Sequence, residues 1–252
     1  MMTIKTKWRI RILGICVRLS VFAVAWVMLF PVTGAQLLGA EEPKAFQEEG
    51  EFKIVVNGSE IGSEKFVIAS LGDSTSSTSV LEFRNPSNRS QKVKMESKLE
   101  MGLNYLPKDY LLTSDVDGKK GQIHAEFSSH QVMFDLSGSG TEQRNGLLLG
   151  EEYTVLDTNI FHHFIFLARL FDSGDREKTR RFEVVIPQEQ ENGKVAVADL
   201  GNETLSDKGK KTEARRMLVD SGSVQIYLWV DRQGILQKIG VPSKGIEVLR
   251  VK

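Results

Sequence analysis

Between residues 92 and 101 the chain alternates without a break. Val93, Met95, Ser97, Leu99 and Met101 fall on one side of an extended backbone, with Lys92, Lys94, Glu96, Lys98 and Glu100 on the other. Successive strand side chains point to opposite faces, so this period of two specifies a strand with one packed face and one wet face. Antiparallel sheets accept that arrangement, whereas parallel strands, covered on both faces, read as continuous apolar runs. Ile123, Ala125 and Phe127 repeat the pattern, as do Val224, Ile226, Leu228 and Val230 opposite Gln225, Tyr227 and Trp229. Further strands are expected at 52–56, 64–69, 79–84, 109–116, 131–136, 181–186, 194–199, 214–220, 235–241 and 246–251. Asn57-Gly58, Asp117-Gly118 and Asn192-Gly193 suit tight hairpins, because both residue types tolerate positive φ. Residues 85–87 (NPS) and 231–234 (DRQG) are further turn signals, and 188–193 and 200–213 are expected as exposed loops. With no helix–strand rhythm, the pattern implies a mainly β fold, an antiparallel meander.

One stretch departs from this. Asp157, Thr158 and Asn159 are helix-start residues, and IFHHFIFLARLFD follows as far as Asp172. On a helical wheel its polar strip is narrow, His162 and Arg169, and apolar side chains cover the rest. A helix of that kind, expected at about 159–171, is buried on most sides. The simplest arrangement lays it in the concave face of a strongly curved, half-barrel-like sheet.

The N-terminus reads differently. Lys5, Lys7, Arg9, Arg11 and Arg18 precede an apolar run at 19–30, and Thr33-Gly34-Ala35 follows Pro31. A basic region, a short apolar core and a small-residue exit make a secretory signal, expected at 1–35. The competing reading is an uncleaved anchor, because 19–38 is about the length of a membrane span. Beyond it, 36–50 reads as a flexible lead and 51–252 as a single domain, in a periplasmic or secreted protein. Without the leader there remain 28 basic and 33 acidic residues and no cysteine, Cys16 having left with it. That composition excludes disulfides and thiolate zinc sites and offers no basic excess for nucleic acid.

The sequence carries no P-loop and no dinucleotide fingerprint, and 136–140 (LSGSG) lacks nucleophile-elbow spacing. Asp115-Val116-Asp117-Gly118 begins like a calcium loop but lacks its remaining ligands and reads as a hairpin turn. His162 and His163 point about 100° apart on a helix, which disfavours joint chelation. The expectation is that they are hydrogen-bonded, with no metal and no cofactor.

The chain resembles a group of secreted bacterial proteins of unknown function. The likeness rests on Gly58-Ser59-Glu60-Ile61-Gly62, on Tyr105-Leu106-Pro107 with Tyr110, and on 156–163 (LDTNIFHH). It extends to the hairpin 228–236 and to 241–246 (VPSKGI), and implies no activity. More remotely, a curved sheet holding an apolar helix is similar to the periplasmic lipoprotein carriers and related lipid-binding half-barrels, in architecture alone. The main expectation is therefore a binding protein for a lipid or other hydrophobic envelope ligand, with Phe161, Phe164, Leu167 and Phe171 lining an apolar cleft. His162, His163 and Arg169 are its polar candidates. The alternatives are a scaffold without catalysis, and a hydrolase using a histidine with an unseen carboxylate.

Overall fold

The computed structural model describes residues 46–251, except 86, 87, 89, 103, 139, 140, 174–177, 208 and 209. The leader at 1–35 and the lead up to residue 45 lie outside the described residues. The strands are β1 Phe46–Val56, β2 Ser59–Leu71, β3 Ser74–Arg84, β4 Lys92–Gly102, β5 Pro107–Val116, β6 Lys119–Ser128, β7 Gln131–Gly138 and β8 Thr141–Leu148. After them come β9 Tyr153–Val155, the helix α1 His163–Ser173, β10 Thr179–Ile186, β11 Glu191–Asp207, β12 Lys210–Asp220, β13 Gln225–Asp231, β14 Leu236–Val241 and β15 Ile246–Arg250. The fold is thus mainly β, with one short helix.

All strands belong to a single 15-stranded sheet in the order β8-β7-β6-β5-β4-β3-β2-β1-β15-β14-β13-β12-β11-β10-β9. The described chain enters in the middle of the sheet and walks outward, hairpin by hairpin, to β8. It then crosses to the far edge and walks back until β15 pairs antiparallel with β1, with Ile54 opposite Val248. The two outermost strands, β8 and β9, are joined by residues 149–152 alone. A flat sheet of this size would be about 65 Å wide, while so short a link spans under about 20 Å. The sheet therefore curls round on itself. Across the seam the Leu148 carbonyl accepts from Asn192, 3.3 Å, and Gly150 N–H donates to Glu183, 3.0 Å.

β9 and β10 pair in parallel, with Thr154 beside Val184. Parallel neighbours require a long crossover, and α1 is that crossover. Among the described residues a strand–helix–strand unit is therefore present once, in a sequence whose rhythm otherwise lacks it. α1 packs on the inner face of the sheet, where Ile165, Phe166, Leu167, Ala168 and Phe171 join the core with Phe52, Ile68, Leu99, Tyr110, Phe134 and Val197.

Asn57 (φ 49) and Gly58 (φ 77) turn as expected, and so do Asp117 (φ 52) and Gly118 (φ 84). The turn before β11 does not fall on Asn192-Gly193, which pair with Val185 and Val184 inside the ladder. It lies two residues earlier, closed by Gln190 N–H on the Pro187 carbonyl with Gln190 at φ 54. The described residues of 200–213 are likewise strand where a loop was expected. β11 and β12 remain paired from Asn202 opposite Arg215 to Asp207 opposite Lys210, a polar ribbon held by its backbone. β1 begins at Phe46, within the stretch read as a loose lead. At Gly62 a Cβ would run into the Glu82 carbonyl, just where the bulge at Ile61 breaks the β1–β2 register. The spacing of Gly58 and Gly62 is thereby explained by a turn and a bulge.

Candidate functional site

α1 starts at His163, four residues later than the sequence implies. Asn159 takes φ 65, which interrupts helical geometry, and an open turn carries the chain to His162. The backbone N–H groups of Phe161 and His162 are then without partners of their own. Both donate to Glu64 Oε2 from β2, at 2.9 and 3.2 Å. A carboxylate at a helix start meets orphan donors and the positive end of the helix dipole together. Its other oxygen lies 2.6 Å from His162 Nδ1, and His162 Nε2 is 3.2 Å from Ser77 Oγ on β3. The ring of His162 is thereby bridged between the Glu64 carboxyl group and the Ser77 hydroxyl. Phe66 stacks on the same imidazole at 5.6 Å.

The neighbouring bonds run through Asp157. Tyr110 O–H, from β5, donates to Asp157 Oδ2 at 2.6 Å, while Oδ1 accepts from the N–H groups of Thr158 and Gln188, each at 2.9 Å. Asp157 N–H in turn donates to His163 Nδ1 at 3.3 Å. The proton of His163 therefore sits on Nε2, a buried donor that has no acceptor. Tyr110, Asp157, His162 and His163, from two of the stretches that carried the resemblance, thus meet in one buried cluster although 47 residues separate Tyr110 from Asp157.

Glu64, His162 and Ser77 repeat the bonding order of an acid–histidine–serine relay, and Glu64 is the carboxylate a hydrolase reading required. Yet Glu64 and His162 have 0% of their surface exposed and Ser77 1%, so no substrate carbonyl reaches the hydroxyl. The arrangement fastens the start of α1 to the sheet. Among the described residues no group of three or more His, Cys, Asp or Glu side chains gathers in a way that could hold a metal. His124 lies elsewhere, 2.7 Å from Asp109, and His130 is exposed in a turn.

Burial holds His163 well below the ordinary imidazole value of 6.5, reinforced by His162. Burial also raises Asp157 above 3.8, opposed by its hydrogen bonds from Tyr110 and the two backbone groups. For His163 the unfolded chain binds the proton more readily, so stability falls as pH drops through 6.5. Asp157 acts in the opposite sense between its raised value and 3.8, where protonation relieves the cost of burying charge. Urea titrations from pH 7 to 5 are expected to show a slope approaching about 1.4 kcal/mol per pH unit from His163. His163→Asn, which keeps an acceptor near the Nδ1 position, should flatten that slope; an unchanged slope would refute the assignment.

The second polar residue of the helix, Arg169, reaches Glu48 on β1. Arg169 Nη2 donates to Glu48 Oε2 at 2.5 Å and Arg250 Nη1, from β15, to Oε1 at 2.7 Å. The polar strip read from the sequence thus faces β1 and β2, each member meeting a carboxyl group. Seven helical residues cover roughly 10 Å, and Glu48 lies four residues along β1 from Phe52, the partner of Glu64, roughly 13 Å. At the far end of α1, Arg180 donates to the carbonyls of Leu170 and Phe171 at 2.5 and 3.2 Å, and Arg215 lies 2.6 Å from Asp172.

Phe161, Leu167 and Phe171 are buried in the core and Phe164 is half-buried against it. Beside the C-terminal half of α1 opens a cleft of about 650 Å³, whose lining includes Phe46, Glu48, Tyr105, Arg169, Asp172 and Ile235. Phe46 is 44% exposed there and lies 4.9 Å from the Arg169 guanidinium. Tyr105 holds φ 59, an unusual conformation for an aromatic residue, with its ring 6.0 Å from Phe166.

The sequence reading reached His162, His163 and Arg169 but missed Glu64 and Glu48. An acidic residue at an inward position of an alternating strand was the available signal, and in β2 it was masked because Lys65 and Val67 alternate against Glu64 and Phe66.

No protein-family model and no curated protein matches the chain. Among solved structures it resembles the beta-barrel-like protein of the domain of unknown function DUF1849 from Brucella abortus. That match has a TM-score of 0.53 and 14% identity over 81% of this chain and 95% of the other. A DUF1089 family protein from Pseudomonas aeruginosa aligns with a TM-score of 0.43 and 10% identity over 90% of this chain and 97% of the other. The first likeness is one of fold alone, and the second is too loose to carry an argument. The chain is a β-rich protein similar in fold to a bacterial beta-barrel-like protein of a domain of unknown function.

Proposed function

We propose that this is an exported, non-catalytic binding protein that holds a lipid or another hydrophobic small molecule in the cleft beside the end of α1. The observation that carries this reading is the cleft itself. Its volume of about 650 Å³ lies within the range of small-molecule sites, and Phe46, Tyr105 and Ile235 give it an apolar wall. An exposed phenylalanine beside a half-buried arginine suits a ligand with an apolar body and a polar end. Phe161, Leu167 and Phe171, by contrast, serve the core. Export follows from the basic and apolar N-terminal segment, and the periplasm or the exterior is the proposed location.

Organic extraction of the purified exported protein, followed by mass spectrometry, should recover a lipid in near-stoichiometric amount. Trp229 lies on the outer face of β13 beside Arg216 and Lys238, so its fluorescence is not the readout. Calorimetric titration of delipidated protein with amphiphiles is. No extracted lipid and no heat of binding would overturn the reading.

A further inference from the structure

The polar end of that ligand is defined by how charge is arranged around the cleft. Two of its lining residues are carboxylates, and both are engaged. Asp172 is held by Arg215, with contacts of 2.6 and 2.8 Å. Glu48 is divided between two guanidinium groups, one oxygen on Arg169 and the other on Arg250.

Arg169 is in the opposite position. A guanidinium carries five N–H donors in a planar fork, and Arg169 commits one of them, Nη2, to Glu48. Its guanidinium carbon also lies 4.9 Å over the Phe46 ring, and among the described residues its remaining N–H groups meet no acceptor. The side chain is 18% exposed and forms part of the cleft lining. The result is a fixed cation with spare donors next to an apolar wall, where neighbouring negative charges are already taken. Bidentate, charge-assisted bonds to an oxyanion are the interaction such a fork makes best.

We infer that the cleft selects acidic amphiphiles, with Arg169 gripping a singly charged oxyanion head while Phe46, Tyr105 and Ile235 receive the chain. This rests on the binding function proposed above and names its ligand class: a carboxylate or phosphodiester on a hydrocarbon tail. A free fatty acid and an acidic glycerophospholipid both supply that chemistry.

The test uses delipidated protein and calorimetric titration with decanoate, lauroyl lysophosphatidylglycerol and the neutral analogue decanol. Decanoate or the lysolipid should bind about tenfold or more tightly than decanol, and whichever of the two binds better identifies the source of the head group. Arg169→Gln should bring the acidic ligand to within about twofold of decanol while decanol itself is unaffected. Phe46→Ala should weaken all of them alike. Equal binding of decanol and the acidic ligands by the unaltered protein overturns the head-group inference and leaves the binding function standing. The comparison on the unaltered protein decides this even if Arg169→Gln fails to fold. Failure of all three ligands to bind overturns both. An Arg169→Gln protein that folds and keeps full preference for the acidic ligand removes Arg169 from the role.

Discussion

Glu64→Ala is expected to destabilise the protein by about 3–5 kcal/mol. The carboxyl group is fully buried and accepts from three donors, the Phe161 and His162 backbone groups and His162 Nδ1. Truncation leaves all three in a space that water does not reach, and each unmet donor costs about 1–3 kcal/mol, partly relieved by local movement. The start of α1 would lose its carboxylate as well. Urea denaturation measures the loss directly. A second variant separates a mere gap from lost polar partners. Glu64→Gln retains an acceptor of nearly the same shape, and about half of the stability should return. A loss below about 1 kcal/mol for Glu64→Ala would mean that the cluster is not what holds the helix start.

Phe166→Ala is the other large effect, also about 3–5 kcal/mol. Phe166 has 0% of its surface exposed, on the face of α1 turned to the sheet, with Tyr105 at 6.0 Å, His162 at 6.0 Å and His163 at 6.4 Å between ring centres. Removing the ring discards its transfer energy and opens a void between α1 and the curled sheet that neighbouring side chains cannot easily fill. Phe166→Leu, which fills most of that volume, should cost roughly 1–1.5 kcal/mol. Val80→Ala is a suitable control, because that side chain points outward from β3 and is 39% exposed, and its effect should stay within about 0.5 kcal/mol. Comparable losses for Phe166→Ala and Val80→Ala would contradict the packing described for α1.

Much of the architecture is legible in the alternation. Val93 to Met101 and Ile226 to Val230 face the core as their period requires, since one side of the curled sheet is dry and the other wet. What escaped detection has physical reasons. β8, with the sequence TEQRNGLL, is an edge strand with no alternating apolar residues to mark it, and β9 is three residues long. The polar ribbon between Asn202 and Lys211 pairs through its backbone, which leaves no trace in residue type. Asn192-Gly193 is a good turn sequence placed inside a ladder, where the neighbouring Pro187 set the turn instead. The buried cluster was half visible. His162, His163, Asp157 and Tyr110 stood in recognisable stretches, but the partner that organises them, Glu64, lies 98 residues from His162. Nothing local links two residues that far apart.

The pairing of β15 with β1 bears on how the chain can be made. Residues are synthesised in order, and β1 is among the first strands to appear, yet one of its edges waits for Ile246–Arg250, nearly two hundred residues later. Until then that edge shows a row of unmatched N–H and C=O groups, a ready template for wrong partners. Contacts so distant in sequence also form slowly, because a large loop must close first. A nascent or partly made chain is therefore the vulnerable form of this protein. The terminal strand is short, but it joins the two halves of the sheet and removes that exposed edge.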